Sequence, residues 1–305
     1  MRSAVGLMSA RTALAVLVGA ALLWAGDLEE RGEVRQLIER RNLARAEELV
    51  VRHLSTKGRT PEWILLLAEI RFDQHRFTES LQLQDGARQL GDFSYRNHLL
   101  AGLNYVALNR NDLAEPELRA AVKLDSSSAM ALYYLGRLLY AKNTFDEAIS
   151  VTKAALALDP SLVRAYDNLG LSYEAVQKKA EAEQAYLEGI RLQRLSGATI
   201  EWPALNMGTM LVKRGEFARG KVLLEEALKI NPKSAEAHFR LGSVLDHDKD
   251  FAGAVLEYKE ALACDPNLNG AYYRLAQVYQ RIGKRTEAKQ LIQIFQQRSK
   301  KQASP

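Results

Sequence analysis

Small residues recur along this chain in a fixed rhythm. Gly102, Gly136 and Gly170 are each 34 residues apart, and the series continues through Gly208 after a step of 38, then Gly242 and Ala276 at steps of 34. Backwards it reaches Ala68 and Val34. A second ladder keeps the same register: Ala46, Ser80, Ala114, Ala148, Ala182, Gly220, Ala254 and Ala288. A third follows seven residues later, from His53 through Ala87, Ala121, Ala155, Gly189, Ala227 and Ala261 to Phe295. Large apolar residues interleave at Leu67, Leu135, Leu169, Met207, Leu241 and Leu275, and Pro160, Pro232 and Pro266 share one phase. A period of this length marks a repeat array.

Within one unit the apolar spacing is helical. Leu132, Leu135, Gly136 and Leu139 stand at i, i+3, i+4 and i+7, which predicts an amphipathic helix. Asn143-Thr144 breaks it, and Ala148, Thr152, Ala155 and Leu156 mark a second helix. Asp159-Pro160 ends that one, because the residue before a proline avoids the helical region. Two helices joined by a short turn pack antiparallel, and Gly or Ala at the crossing lets the axes approach closely. One such hairpin cannot bury its apolar face, so neighbours stack. No β-branched strands lie between the helices, which excludes an α/β barrel.

Leu-Gly, then Ala, Tyr, Ala and Pro at a period of 34 resembles the tetratricopeptide repeat. The best-matching units are Ala129–Leu162, through Leu135-Gly136, Ala148, Ala155 and Pro160, and Ala235–Leu268, through Leu241-Gly242, Ala254, Tyr258, Ala261 and Pro266. Val163–Ser196 matches through Tyr166, Leu169-Gly170, Tyr173, Ala182 and Tyr186, with Arg194 in place of the proline. The resemblance implies an all-α fold, a right-handed α-solenoid of stacked antiparallel helix pairs. It has seven firm repeats over residues 61–302 and a degenerate first one over 27–60, where only the second helix fits well. The step of 38 predicts a longer turn or an altered inter-repeat angle near Ser196–Ile200. Pro116 is expected to cost one first-turn hydrogen bond, and Ser299–Pro305 reads as a short basic tail, of which 303–305 lie beyond the solenoid.

The N-terminus breaks the pattern. Thr12–Gly26 is an uncharged apolar run, preceded by Arg2 and Arg11 and closed by Asp27-Leu28-Glu29-Glu30. Basic start, apolar middle and polar end make residues 1–26 an export signal or an N-terminal membrane anchor. Fifteen residues fall short of the ~20 that span a bilayer. The flanking cleavage sites are poor, however, and Trp24 suits a membrane interface. The repeats are therefore expected outside the cytoplasm, periplasmic or secreted, or tethered to the membrane through residues 12–26.

Composition narrows the chemistry. The chain is 47% hydrophobic and 26% charged, with one cysteine and a net charge of +5. Cys264 alone excludes an intrachain disulfide framework and a cysteine-based zinc site. Basic residues alternate with acids, as in Lys179-Ala180-Glu181, which disfavours nucleic acid. Phosphate loops, dinucleotide turns, HExxH and nucleophile elbows are absent. Asp246, Asp248, Asp250 and Glu257 have the spacing of a calcium loop, but Phe251 replaces its essential glycine and a helix–helix turn explains these acids as well. His98 and His238 share a rung with Ile64, Leu132 and Tyr166, which makes them packing residues. No catalytic, cofactor or metal site is expected, and the protein is read as a non-enzyme.

In solenoids of this family the first helix of each unit lines a concave groove that takes peptides or partner helices. Carried onto this chain, that face presents Tyr133, Arg137 and Tyr140, then Arg164 and Asn168, then Trp202 and Asn206, then Phe239 and Arg240, then Tyr273, Arg274 and Gln277. Asn168 and Asn206 hold the same place in consecutive units and resemble an asparagine ladder that would grip a peptide backbone. Aromatic residues and arginines dominate interface energies, and arginines on one wall suit acidic groups. The expected function is a protein–protein interaction scaffold of the cell envelope; the alternative is an accessory assembly subunit of a secretion, pilus or polysaccharide-export machine.

Overall fold

The computed structural model describes residues 26–302, and the side chains as far as 299. The apolar segment and residues 303–305 lie outside the described residues. All regular structure among the described residues is α-helix, sixteen helices in eight antiparallel pairs. The first compact unit reaches Ser127 and holds α1 (26–39) with α2 (Leu43–Thr56), α3 (Pro61–Asp73) with α4 (Phe77–Gln89), and α5 (Tyr95–Ala107) with α6 (Asn111–Leu124). The second unit, from Ser128, holds α7 (Ala129–Ala141) with α8 (Phe145–Leu158) and α9 (Val163–Ala175) with α10 (Lys179–Ser196). It continues with α11 (Trp202–Lys213) and α12 (Phe217–Ile230), α13 (Ala235–His247) and α14 (Phe251–Cys264), and α15 (Asn269–Arg281) and α16 (Arg285–Gln302).

The glycine ladder marks where the two helices of a pair touch. A Cβ on Gly102 would lie 2.6 Å from Leu118, on Gly136 2.4 Å from the Thr152 hydroxyl, on Gly170 2.4 Å from the Tyr186 ring and on Gly242 2.9 Å from the Tyr258 ring. Each partner stands sixteen residues later, at one rung of the second helix. The side chain on that rung fills the space the glycine leaves. Tyr186 and Tyr258 are fully buried, and their hydroxyls reach Glu174 at 3.0 Å and Ser243 at 3.2 Å.

The turn inside each pair repeats as faithfully, though its sequence does not. Arg41, His75, Asn109, Asn143, Gln177, Gly215, Lys249 and Gly283 all have φ between +58° and +82°, a left-handed C′ residue in every pair. The next amide closes the turn onto the carbonyl five residues back, as in Arg76 N to Arg71 O at 2.8 Å and Thr144 N to Leu139 O at 2.9 Å. This is the Schellman closure of a helix end. Glycine occupies only two of the eight positions; the other side chains tolerate the strained region. Between pairs, Asp125, Asp159, Asn231 and Asp265 each accept from the amide two residues on, at 2.8–3.1 Å. These side-chain turns, more than the prolines that follow some of them, end the second helices.

Three expectations need correction. The extra residues go mainly into a helix: α10 has 18 residues where α8 has 14, a whole added turn ending at Gly197 in the left-handed conformation, while the connection 197–201 is only one residue longer than 159–162. Arg194 on that added turn grips Glu226 of α12 with two bonds, 2.7 and 2.6 Å long. Pro116 is the sixth residue of α6, past the first turn, so the missing bond is an interior one. The final helix runs to Gln302, through most of the segment read as a tail.

The degenerate first repeat is nevertheless a complete pair. Its first helix is held by polar contacts: Asp27 accepts from the Trp63 indole at 2.6 Å, and Glu30 meets His53 at 3.0 Å and Lys57 at 2.5 Å. His53 stacks on Trp63 with centroids 3.7 Å apart. Among the described residues no helix is long and apolar enough to cross a membrane.

One region of the first unit departs from its own pattern. Gln84, Asn97 and Asn104 are 0–1% exposed, at rungs that carry Leu118, Ala131 and Leu138 one unit later. The Asn104 amide donates to the Ser80 hydroxyl at 2.9 Å, yet both polar atoms of Gln84 and the Oδ1 atoms of Asn97 and Asn104 have no protein partner. A buried unsatisfied polar group costs ~1–3 kcal/mol. Gln84→Leu, which restores the residue type of Leu118, is expected to raise unfolding free energy by about 1–2 kcal/mol in urea denaturation. Gly170→Ala drives a methyl group into the Tyr186 ring and is expected to lower it by ~1–3 kcal/mol in the same assay.

Candidate functional site

Helices α7, α9 and α11 are the first members of three consecutive pairs, and a cavity of about 670 Å³ opens between them. The 34-residue register brings the same helix face round in each pair, so side chains far apart in sequence meet here. Seven of the expected groove residues line it: Tyr133, Arg137 and Tyr140 from α7, Arg164 and Asn168 from α9, and Trp202 and Asn206 from α11. Ala141, Asp167 and Leu171 complete the lining.

The roles within the cavity differ from those read off the helix face. Tyr133 is only 4% exposed, with its ring beside Tyr134 at 5.0 Å and beneath the Arg137 guanidinium at 6.0 Å; it forms floor, not rim. Asn168 is buried as well and donates to the Thr152 hydroxyl at 3.0 Å, so its amide is engaged with α8 of the preceding pair. Asn206 donates to Asp167 at 2.7 Å. The two amides share a register but answer to different neighbours, and they form no continuous ladder. Arg137, Arg164 and Trp202 are exposed, Trp202 at 47%.

The other five expected residues do not line this cavity. Arg240 pairs with Glu236 at 2.6 Å and lies over the Phe239 ring at 5.3 Å, all on α13. On α15, Tyr273 packs on Phe295 of α16 with centroids 5.4 Å apart, and Arg274 contacts Gln277 at 3.4 Å.

Asp167 is the lining residue missing from the expected set. It stands on the rung of Tyr133, Leu205, Phe239 and Tyr273, so a carboxylate occupies a place that is otherwise aromatic or aliphatic in the second unit. Burial pushes its carboxyl up to about 6, and the nearby Glu201 and Glu174 add to the rise. The Asn206 hydrogen bond and the Arg137 charge oppose it. The 34-residue register contained the signal, since a lone acid on an apolar rung marks a special environment.

Acids and histidines elsewhere are committed to separate partners. Asp246 pairs with Arg281, Asp250 caps α14 through the Gly253 amide, and Glu257 meets His238 at 2.7 Å. The calcium-like spacing therefore does not converge, and no cluster of three metal-ligating side chains occurs among the described residues. His98 and His238 are half-buried, and each contacts the glutamate nineteen residues on, Glu117 and Glu257, at 2.7 Å.

A smaller cavity of about 230 Å³ lies on the equivalent helices of the first unit, lined by Arg35, Glu62, Glu69 and Arg96 among others. Burial raises the Glu69 carboxyl, against the attraction of Arg96 and Arg35. Its acids and arginines are mixed, which gives it no clear charge preference.

The raised Asp167 carboxyl has a thermodynamic consequence. A carboxyl with a folded value above its unfolded one binds its proton more tightly when folded, so stability is lost as pH rises from about 4 through 6. Asp167→Asn keeps the acceptor for Asn206 and removes the charge. Melting curves are expected to coincide near pH 4 and to separate above pH 6, the variant being the more stable by ~2 kcal/mol.

Comparison with known proteins agrees with this architecture. Tetratricopeptide repeat models match residues 99–163 and 205–269, 163–194, and 270–300. The chain is 29% identical over 147 residues to the type IV pilus assembly protein PilF of Pseudomonas aeruginosa, covering 47% of this chain and 56% of that protein. It is 35% identical over 94 residues to the TPR repeat-containing protein YpiA of Bacillus subtilis, covering 31% and 21%. The chain thus spans about half, or less, of the curated relatives it matches. Among solved structures, P. aeruginosa PilF superimposes with a TM-score of 0.59 at 19% identity, over 65% of this chain and 88% of that one. TTC0263 of Thermus thermophilus does so with 0.52 at 21%, over 61% and 100%. These likenesses show the fold. With the 34-residue ladders and the paired helices, they establish that the chain belongs to the tetratricopeptide repeat family, whose repeats mediate protein–protein interaction.

Proposed function

We propose that this protein is a non-catalytic scaffold of the cell envelope that holds a segment of a partner protein in the cavity between α7, α9 and α11. The observation that carries the reading is the convergence of exposed Arg137, Arg164 and Trp202 on one cavity of about 670 Å³. An exposed tryptophan beside two arginines is the composition of an interface centre, and a preformed groove lowers the ordering cost of capture. The envelope location rests on the basic–apolar–acidic pattern of residues 1–30, with residues 12–26 as export signal or tether. A second reading, an accessory subunit that positions other components of an assembly machine, is supported by the likeness to a type IV pilus assembly protein.

Affinity capture from the solubilised envelope of the native host separates the two. The baits are residues 26–305 as wild type and with Arg137→Ala, Arg164→Ala and Trp202→Ala combined, three exposed positions whose loss leaves helicity by circular dichroism unchanged. A partner retained by wild type and reduced at least tenfold on the triple variant is the expected result. Equal recovery on both baits would move the contact to the outer helices and favour the assembly-subunit reading.

A further inference from the structure

Six arginines of the second unit are already engaged. Arg191, Arg194, Arg214, Arg219, Arg240 and Arg281 each form a salt bridge with a carboxylate of the same unit. Arg137 and Arg164 form none with any described carboxylate; the same holds for Arg274 and Arg298, but of these only Arg137 and Arg164 line the cavity of about 670 Å³. Two exposed guanidinium groups without a carboxylate, in a concave site walled by Trp202 and Tyr140, are an unmet demand for negative charge. The one acid in the cavity lining is Asp167, and it is bonded to Asn206, not to either arginine.

We propose that this cavity takes an acidic segment of a protein partner, an Asp or Glu side chain held by Arg137 and Arg164 with a neighbouring apolar side chain on Trp202, and that Asp167 sets the affinity by competing for the field of Arg137. This rests on the groove reading above and names the chemistry of its ligand. The groups facing Asp167 are Arg137 and Tyr140 from α7, Tyr186 from α10, Glu201 and Asn206 from the start of α11, and Glu174 on its own helix. Arg137 is the only cation in that set, so a protonated Asp167 no longer competes with the ligand for its charge. An ordinary ligand carboxylate stays ionised down to about pH 5, below the range in which Asp167 takes up its proton, so binding tightens as pH falls from 7.5 to 5.5.

The test begins with selection of phage-displayed random dodecapeptides on the immobilised full-length chain in detergent at pH 5.5. The winning sequence, made as a fluorescein-labelled peptide amidated at its C-terminus, is then titrated by anisotropy. Winners are expected to carry Asp or Glu within two residues of an aromatic or large aliphatic residue. Arg137→Gln and Arg164→Gln should each weaken binding about tenfold. Asp167→Asn should tighten it about fivefold at pH 7.5 and leave it unchanged at pH 5.5, so that the wild type alone responds to pH. Acid-free winners, no winner at all, or peptides indifferent to both Gln substitutions would overturn the acidic-ligand proposal. An Asp167→Asn chain as pH-responsive as wild type would overturn the role of Asp167. Acid-free winners lost on Trp202→Ala would leave the groove reading standing, whereas peptides unmoved by every substitution would remove that as well.

Discussion

In the pairs that carry Gly102, Gly136, Gly170, Gly208 and Gly242, a residue with no side chain lies where the two helices come nearest, and the residue sixteen positions later fills the space it leaves. At Gly136, Gly170 and Gly102 the gap is so narrow that an added Cβ would sit 2.4–2.6 Å from the facing side chain. This close approach sets the angle at which the second helix returns. Through that angle it also sets where the next first helix must lie. Within each unit the first helices of consecutive pairs lie side by side, and a surface made of α7, α9 and α11 can exist at all. The left-handed turn residue supports the arrangement from the other end, since closing each first helix by the same backbone bond gives every hairpin the same short reversal.

Polar groups inside such a buried seam are conspicuous because their cost is high. Gln84, Asn97 and Asn104 occupy rungs that another unit fills with Leu118, Ala131 and Leu138, and leave four polar atoms unanswered by protein. Asp167 is the parallel case in the second unit. It differs in having a hydrogen-bond partner in Asn206 and an opening toward solvent through the cavity. A polar group that departs from the repeat and faces a cavity is better placed for a ligand than one sealed inside, which is why the candidate site is assigned to Asp167 and its neighbours.

Charge is distributed in keeping with that assignment. On the second helices and at the turns most arginines are answered locally, often by a glutamate three or four residues away, as in Arg191 with Glu188 and Arg219 with Glu216. Exposed pairs of this kind add little to stability, but they leave those surfaces electrically neutral. Arg137 and Arg164 both lack such a partner and line a cavity, and a guanidinium in a concave site loses less of its field to water than one on a convex face. The mildly basic total charge says nothing of this; the local imbalance does.

How much of this was legible beforehand depends on the kind of information each feature needs. The repeat period, the helix pairs, the glycine crossings and the face shared by successive first helices were readable, because all follow from the position of a residue in a 34-residue register, and register is a property of sequence alone. Seven of the twelve groove residues do meet in one cavity for that reason. The register did not reveal the shared left-handed turn, since six of its eight positions are non-glycine and the backbone bond that enforces it is blind to side-chain type. Nor did it show that the extra residues would join a helix: α10 gains a full turn, and Arg194 on that turn bonds to Glu226, 32 residues away. Tyr133 and Asn168 lie on the predicted face yet are buried, because depth depends on what the neighbouring helices place above a residue. Burial, the shifted Asp167 carboxyl and the want of a salt bridge at Arg137 and Arg164 are relations between residues of different helices, and only packing those helices together decides them.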